Sequence, residues 1–97
     1  MSKVALFVRI VAKPETAAEV ADFLRSALPL VEAEPGTVAW YALQIGPEEF
    51  AIFDAFPHEA ARQAHLEGRV AAALMASVPT LLAREPSIER LDVLAVR

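Results

Sequence analysis

The stretch of sequence that decides the fold runs from Val38 to Phe56 and reads VAWYALQIGPEEFAIFDAF. Residues 38–45 and residues 50–56 are two runs rich in apolar, β-branched and aromatic side chains, and Gly46-Pro47-Glu48-Glu49 separates them. Two such runs joined by a short turn-forming segment predict a β-hairpin. Both runs are apolar at successive positions rather than at alternate ones, which is typical of strands covered on both faces.

The segments on either side of the hairpin complete a βαββαβ order. Before the hairpin, a strand is predicted at residues 4–12 and a helix at residues 17–31, which weakens at Pro29 and stops at Glu34-Pro35-Gly36. After the hairpin, helical stretches are predicted at residues 57–66 and 69–77, the second reaching residue 82 if Pro79 only bends the chain. A last strand is predicted at residues 88–96. Apolar side chains at helical spacing define the helices, and proline and glycine end them. The order predicts an α+β, ferredoxin-like fold with a four-stranded antiparallel sheet and both helical layers on one face.

Length and composition predict a single domain, residues 1–97, that associates with a second copy of itself. Hydrophobic residues make up 56% of the 97 residues, and the mean hydropathy is +0.39. Helices on one face of the sheet leave the other face open, yet the strands are apolar on both sides. The simplest cover is the same face of another copy, which predicts an isologous homodimer formed through the sheet face.

Charge and cysteine content exclude several classes of protein. The chain carries 13 acidic and 9 basic residues, a net charge of −4, and it has no cysteine. It therefore lacks the basic surface of a protein that binds nucleic acid or an anionic membrane. It also cannot form a disulfide scaffold, a thiolate metal site or a cysteine nucleophile. We predict neither a membrane-spanning segment nor an export signal, and expect a cytoplasmic location.

His65 is the polar residue with the clearest functional potential. It lies in the Ala64-His65-Leu66 segment of a predicted helix, on the flank expected to face the sheet. Two interpretations stay open: a hydrogen-bonded, half-buried imidazole, or a general base in an apolar pocket. His58 is predicted to be a solvated first-turn residue. The two histidines would lie roughly 10.5 Å apart along the helix axis, too far for one ion, so we predict no metal site.

Four further side chains pose questions that the sequence leaves open. Trp40 and Tyr41 are neighbours on one strand, so one is predicted to pack under the helices and the other at the sheet–sheet contact. Arg9 and Asp54 each interrupt an apolar strand. Each is either an ion-pair partner at an edge or an interface, or a charge that faces a pocket, and the two could pair with each other.

The order and spacing of these motifs resemble the antibiotic biosynthesis monooxygenase family. The likeness covers nearly all of the chain, and it rests on Glu34-Pro35-Gly36, the aromatic pair Trp40-Tyr41, the strand at residues 50–56, and the segment from Glu59 to Leu66. It implies a dimeric α/β-barrel with a cavity between the helices and the sheet of each subunit. It also implies oxidation of a small electron-rich aromatic, quinol or polyketide-like compound by O2, without metal, flavin or any other cofactor.

The resemblance yields specific candidates for the site. His65 is the candidate proton acceptor, and Arg9 is its candidate electrostatic partner. The aromatic side chains expected to contact the substrate are Trp40, Phe53, Phe7 and Phe56.

The sequence also departs from parts of the family. The haem-degrading branch uses an Asn, a Trp and a haem-ligating His, but this chain has no Asn, and His65 and Met75 stand where the Trp and the His would align. Phe56 stands where many members have Trp. A haem oxygenase is therefore not predicted. The alternatives to a monooxygenase are a non-catalytic dimeric barrel that binds a small apolar ligand, of the stress-response type, and a purely structural dimer.

Overall fold

The computed structural model describes residues 2–97 and confirms the predicted βαββαβ order. The strands are β1 (Val4–Val11), β2 (Ala39–Gln44), β3 (Glu49–Phe56) and β4 (Ser87–Asp92). A 3-10 turn (Pro14–Thr16) precedes the helices α1 (Ala17–Ser26), α2 (Leu28–Glu32), α3 (Glu59–Leu66), α4 (Arg69–Ala76) and α5 (Val78–Leu81).

The four strands form one antiparallel sheet in the order β2-β3-β1-β4. The predicted ferredoxin-like sheet is thus confirmed, with the hairpin β2–β3 along one side and β1 at the centre. Register places Phe7 opposite Phe53, and Trp40 opposite Asp54. Opposite residues share a face of the sheet, so these pairs decide which side chains can meet.

Both helical layers are interrupted where proline occurs. Helix α1 ends at Ser26 and α2 begins at Leu28, just before Pro29, while α4 and α5 are separated at Ser77, just before Pro79. Proline lacks an N–H and its ring crowds the carbonyl four residues earlier, so the helix must break in the preceding turn. The helical region after Gly68 therefore reaches Leu81, but not as one continuous helix.

The last strand is shorter than predicted. We expected it to extend to Val96, but β4 ends at Asp92, which pairs with Val4 at the beginning of β1. Beyond that point only the amide of Val93 finds a strand partner, the carbonyl of Lys3 at 3.0 Å. The ladder stops because β1 offers no further residues, and Leu94 is left 97% exposed.

The sheet has one face covered by helices, here called the helix face, and one face without them, here called the open face. Trp40 packs on the helix face, where it joins two hydrophobic clusters, and Tyr41 lies on the open face with 58% of its surface exposed. The prediction that these two neighbours point to opposite sides is confirmed. The helix-face core is built mainly from Leu6, Val8, Ile10, Val20, Leu24, Phe50, Ile52, Phe56, Val70 and Leu74.

No helix within residues 2–97 combines the length and the apolar character needed to cross a membrane.

Candidate functional site

A row of three ionisable side chains crosses the helix layer between the sheet and the surface. The imidazole of His65 lies between two carboxyl groups, with Nδ1 2.6 Å from Glu34 Oε1 and Nε2 3.0 Å from Asp54 Oδ2. The side chains are 1% exposed at Asp54, 7% at His65 and 21% at Glu34. The row therefore runs from the fully buried sheet to partly solvated surface.

Helix α3 directs His65 toward the sheet. The buried residues of this helix are Ala61, Arg62 and His65, and the spacing of Ala61 and His65 corresponds to one helical turn. His58 begins the helix as its N-cap, and its Nδ1 accepts a hydrogen bond from the backbone N–H of Ala61 at 3.1 Å. His58 is exposed, as predicted, and it lies at the N-cap rather than within the first turn. Capping satisfies a helix amide that has no partner within the helix.

Asp54 comes from the helix face of β3 and is completely buried. Its Oδ2 is close enough to His65 Nε2 for an ion pair, yet neither carboxylate oxygen receives a well-directed hydrogen bond. Burial of a carboxylate is costly unless its oxygens are paired and hydrogen-bonded. Asp54 thus keeps unused acceptor capacity inside the protein.

Glu34 reaches His65 because the turn that carries it packs tightly on α3. A Cβ atom at Gly36 would come within 2.9 Å of Ala61 Cβ, so only glycine permits this approach without a shift. The Thr37 hydroxyl donates to Glu34 Oε1 at 2.7 Å and holds the same oxygen that contacts the imidazole. The Glu34-Pro35-Gly36 segment therefore ends the preceding helical stretch and also positions a carboxylate.

The environment of His65 favours its charged form. Burial by itself lowers the pKa of this imidazole, but its close contacts with the Asp54 and Glu34 carboxylates and their negative charges outweigh burial and raise the pKa above its ordinary value of 6.5. Each ring nitrogen faces a carboxylate, and an imidazolium can donate to both. His65 consequently holds a proton over more of the neutral pH range than a free histidine does.

His65 also separates two cavities. The first, here called the inner cavity, is a space of about 40 Å³ between the sheet and α3–α4; its walls are apolar apart from Asp54 and His65. The second, here called the outer pocket, is a surface depression of about 220 Å³ between the turn at residues 33–37 and α3. Asp54 borders the inner cavity only, and Glu34 borders the outer pocket only.

The row is not arranged to hold a metal ion. The two carboxylates approach opposite nitrogens of one imidazole, so they cannot converge on a single ion. Within residues 2–97 no group of three His, Asp or Glu side chains is suited to metal binding.

The structure separates the predicted site residues into two groups. Arg9, Phe7 and Phe53 lie on the open face, whereas His65 approaches the sheet from the helix face. Arg9 pairs with Glu49 at 3.2 Å and stacks over Phe7, 5.7 Å from the ring centre. The expected partnership of Arg9 with His65 therefore does not form within the chain, because the sheet lies between them. For the same reason Arg9 and Asp54 do not pair with each other, since they lie on opposite faces of the sheet.

The two aromatic candidates on the helix face are core residues. Phe56 is completely buried, with its ring centre 5.3 Å from that of His65, and Trp40 packs under the helices. Neither is among the residues that line the inner cavity or the outer pocket. The indole N–H of Trp40 is buried without an acceptor in the structure.

The sequence left the role of Asp54 undecided, and it indicated Glu34 only as part of a helix stop and of the turn that resembles the family. One signal was present for Asp54, because it alternates in step with Phe50, Ile52 and Phe56 and so shares their buried face. Glu34 had no comparable signal, since its contact with His65 spans 31 positions of sequence.

Comparison with known proteins identifies a close structural match and many structures of the same fold. No protein-family profile matches the chain, and no curated protein matches it significantly. The NE2512 protein of Nitrosomonas europaea, described as of unknown function, is 59% identical, with a TM-score of 0.98 over 100% of this chain and 94% of that one.

Three of the more distant structures carry a functional name, and two of them illustrate the likeness. A "putative antibiotic biosynthesis monooxygenase" of Nitrosomonas europaea is 18% identical, with a TM-score of 0.84 over 96% of this chain and 91% of that one. A protein of the same name from Caulobacter crescentus is also 18% identical, with a TM-score of 0.83 over 97% of this chain and 92% of that one. At this level of identity the likeness concerns the fold. The 59% identity over the whole chain shows that the protein belongs to the same family as NE2512 of Nitrosomonas europaea, and the more distant structures show that its fold is that of the antibiotic biosynthesis monooxygenases.

Proposed function

We propose that the protein is a cofactor-independent monooxygenase that oxidises a small electron-rich phenol, quinol or polyketide-like compound with O2 beside Asp54. The observation that carries this proposal is the buried Asp54 carboxylate, which borders an apolar cavity and has no well-directed hydrogen-bond donor. A substrate hydroxyl supplies such a donor. Because nearly all buried polar groups in proteins are hydrogen-bonded, an unsatisfied carboxylate at a cavity favours a ligand there.

The chemistry begins with removal of the hydroxyl proton. The substrate O–H bond breaks, Asp54 takes the proton and passes it to a neutral His65, and the imidazolium that forms offsets the negative charge of the substrate anion. The electron-rich anion then passes an electron to O2, and the two radicals combine into a peroxide. The peroxide takes up the proton that was removed first. Its C–H and O–O bonds then break, so that one oxygen atom stays in the product as a carbonyl and the other leaves as water together with the proton from the C–H bond. The apolar walls exclude bulk water from the charged intermediates.

The dimensions of the inner cavity restrict which substrates can reach Asp54. Its volume of about 40 Å³ suits a hydroxyl group or O2, whereas a benzene ring fills a cavity of roughly 150 Å³. The outer wall includes Met75 and Ile88, which are 45% and 47% exposed. We therefore expect a flat ring to enter between these two side chains with its hydroxyl leading.

The test is oxygen uptake by the metal-stripped protein with a panel of naphthols, hydroquinones and anthrones. Asp54→Asn keeps the shape of the side chain but removes its basicity, and should lower the rate about 100-fold or more, since a positioned general base contributes 10²–10⁴. Asp22→Asn is the matched control, because Asp22 is exposed on α1 and pairs only with Arg25. An uptake rate equal in both variants would contradict the role of Asp54.

The same panel distinguishes the ligand-binding alternative. Trp40 is the only tryptophan and packs beneath the helices, so its fluorescence reports ligands that enter the helix face. Compounds that change this fluorescence but cause no oxygen uptake would favour a non-catalytic barrel.

We further propose that the open face binds a second copy of the chain. This face presents Tyr41 and Leu43, which are 58% and 41% exposed, around the ring of Phe53, whose centre lies 6.4 Å from that of Tyr41. An apolar sheet face of this kind is typical of an association surface. Tyr41→Arg should yield a monomer by light scattering coupled to gel filtration, whereas a monomeric wild-type protein at micromolar concentration would exclude the dimer.

A further inference from the structure

Solvent exposure increases in one direction along the row Asp54, His65, Glu34. Asp54 faces the inner cavity, Glu34 faces the outer pocket, and His65 borders both. The imidazole is thus the only part of the row in contact with both spaces. Among the side chains that line the inner cavity, Asp54 and His65 alone are titratable, so a proton that leaves a substrate there passes to this pair until it is needed again.

The ring is oriented for transfer from one nitrogen to the other. Nδ1 makes a short, well-directed hydrogen bond of 2.6 Å to Glu34, while Nε2 lies 3.0 Å from Asp54. An imidazole can accept a proton at one nitrogen and release a different proton from the other. The charged groups that face it are Asp54 from β3 and Glu34 from the turn after α2; β1 and α4 contribute apolar side chains there.

We propose that Glu34 is the outer end of a proton relay that connects Asp54, through His65, with the outer pocket. In this relay Glu34 is a positioning residue, since it acts on the substrate only through His65. The inference rests on the proposed oxidation, for which it supplies the path of the proton.

The steps of the relay balance as follows. Asp54 passes the proton taken from the substrate hydroxyl to Nε2 of a neutral imidazole, which becomes imidazolium. The Nδ1–H bond then breaks, its proton goes to the Glu34 carboxylate, and water in the outer pocket removes it. The reverse flow returns one proton to the oxygen that leaves as water.

Glu34→Gln is the decisive variant, and Glu32→Gln is its control. Glu32 is an exposed residue at the end of α2, so its variant removes one carboxylate from the same part of the chain without contact with His65. The relay requires neutral His65, so the rate of oxygen uptake by the wild type should rise with pH through the pKa of this residue. Loss of the Glu34 charge destabilises imidazolium, so in Glu34→Gln the rise should move to lower pH and its plateau should fall about 10-fold or more. Glu32→Gln should follow the wild-type profile.

A merely structural role for Glu34 is tested by rescue and by direct titration. In Glu34→Ala, added formate should restore part of the plateau, because the vacated position opens onto the outer pocket, whereas chloride should not. NMR titration of the His65 ring should show a lower pKa in Glu34→Gln than in the wild type.

The outcomes separate the two proposals. An active wild type whose Glu34→Gln variant keeps the same profile, or whose Glu34→Ala variant is not rescued by formate, overturns the relay and leaves the oxidation standing. An inactive wild type overturns the proposed oxidation and the relay with it. An unchanged His65 titration in Glu34→Gln overturns the relay even where the protein is active.

Discussion

Replacement of His65 by leucine should strongly destabilise the fold, because it leaves the Asp54 carboxylate buried without a counter-charge. Removal of one partner of a buried ion pair costs about 3–5 kcal/mol. This cost arises at Asp54, because its side chain is 1% exposed and keeps its charge away from water, whereas the Glu34 side chain is 21% exposed and can turn toward water. A domain of this size has about 5–15 kcal/mol of total stability, so the loss is a large share of it.

The loss should also depend on pH, and the sign follows from the raised pKa of His65. The folded protein binds the imidazole proton more tightly than the unfolded chain, whose histidine titrates at about 6.5. The corresponding stabilisation is complete below the unfolded pKa and disappears as the pH rises through the folded pKa. The difference in unfolding free energy between the wild type and His65→Leu should therefore be larger near pH 6 than near pH 9.

Urea unfolding followed by circular dichroism measures both quantities, at one fixed protein concentration because self-association would add to the apparent stability. Addition of Asp54→Asn to His65→Leu should recover about 1–3 kcal/mol, since a neutral amide is cheaper to bury than a carboxylate. A loss below about 1 kcal/mol that does not change with pH would refute an ion pair between His65 and Asp54.

Two further pairs of variants test how the site is held. Gly36→Ala should cost about 1–3 kcal/mol in the free energy of thermal or urea unfolding, because the new methyl group meets Ala61, while Gly46→Ala, with nothing within 4 Å, should be neutral. Equal unfolding free energies of the two variants would mean that the turn at Gly36 adjusts to the added methyl group without loss of stability. Arg62→Met should cost about 2–3 kcal/mol by the same measurement, since the Arg62 guanidinium donates to backbone carbonyls of β1 and β4 at 3.1 and 3.3 Å. Its control, Arg25→Met, removes one member of an exposed ion pair and should cost less than about 0.5 kcal/mol. An unchanged free energy of unfolding in Arg62→Met would show that these carbonyls do not need the guanidinium as a donor.

The elements of the fold were predictable because their signals are local. The hairpin follows from two apolar runs and a turn within residues 38–56, and the breaks before Pro29 and Pro79 follow from the chemistry of proline alone. The end of β4 was not predictable in this way. The residues that follow it, 93–96, are all apolar, but the strand stops where its neighbour β1 begins, and that limit depends on register.

The candidate site was predictable only in part, because its residues converge from three distant segments. The sequence identified His65 as a helix residue directed at the sheet, which its burial confirms. Alternation along the strands puts Arg9 on the same face as Phe7 and Asp54 on the same face as Phe56, but only the register of the sheet shows that these two faces are opposite ones. Alternation along a strand could not predict which side chains contact His65, because Glu34 reaches it only after the turn at residues 33–37 has packed on α3.

The energetic cost of the row Asp54–His65–Glu34 argues that it serves chemistry rather than folding. Well-packed hydrophobic residues of similar volume often stabilise a protein as well as a buried ion pair does, or better. A small domain with an apolar excess would gain by filling the inner cavity with one more aliphatic side chain at position 54. Instead it buries a carboxylate, balances it with an imidazole, and closes a glycine turn tightly enough to bring up a second carboxylate. An arrangement that gives up stability to hold a proton between the inner cavity and the outer pocket is the one that the proposed proton transfer would need.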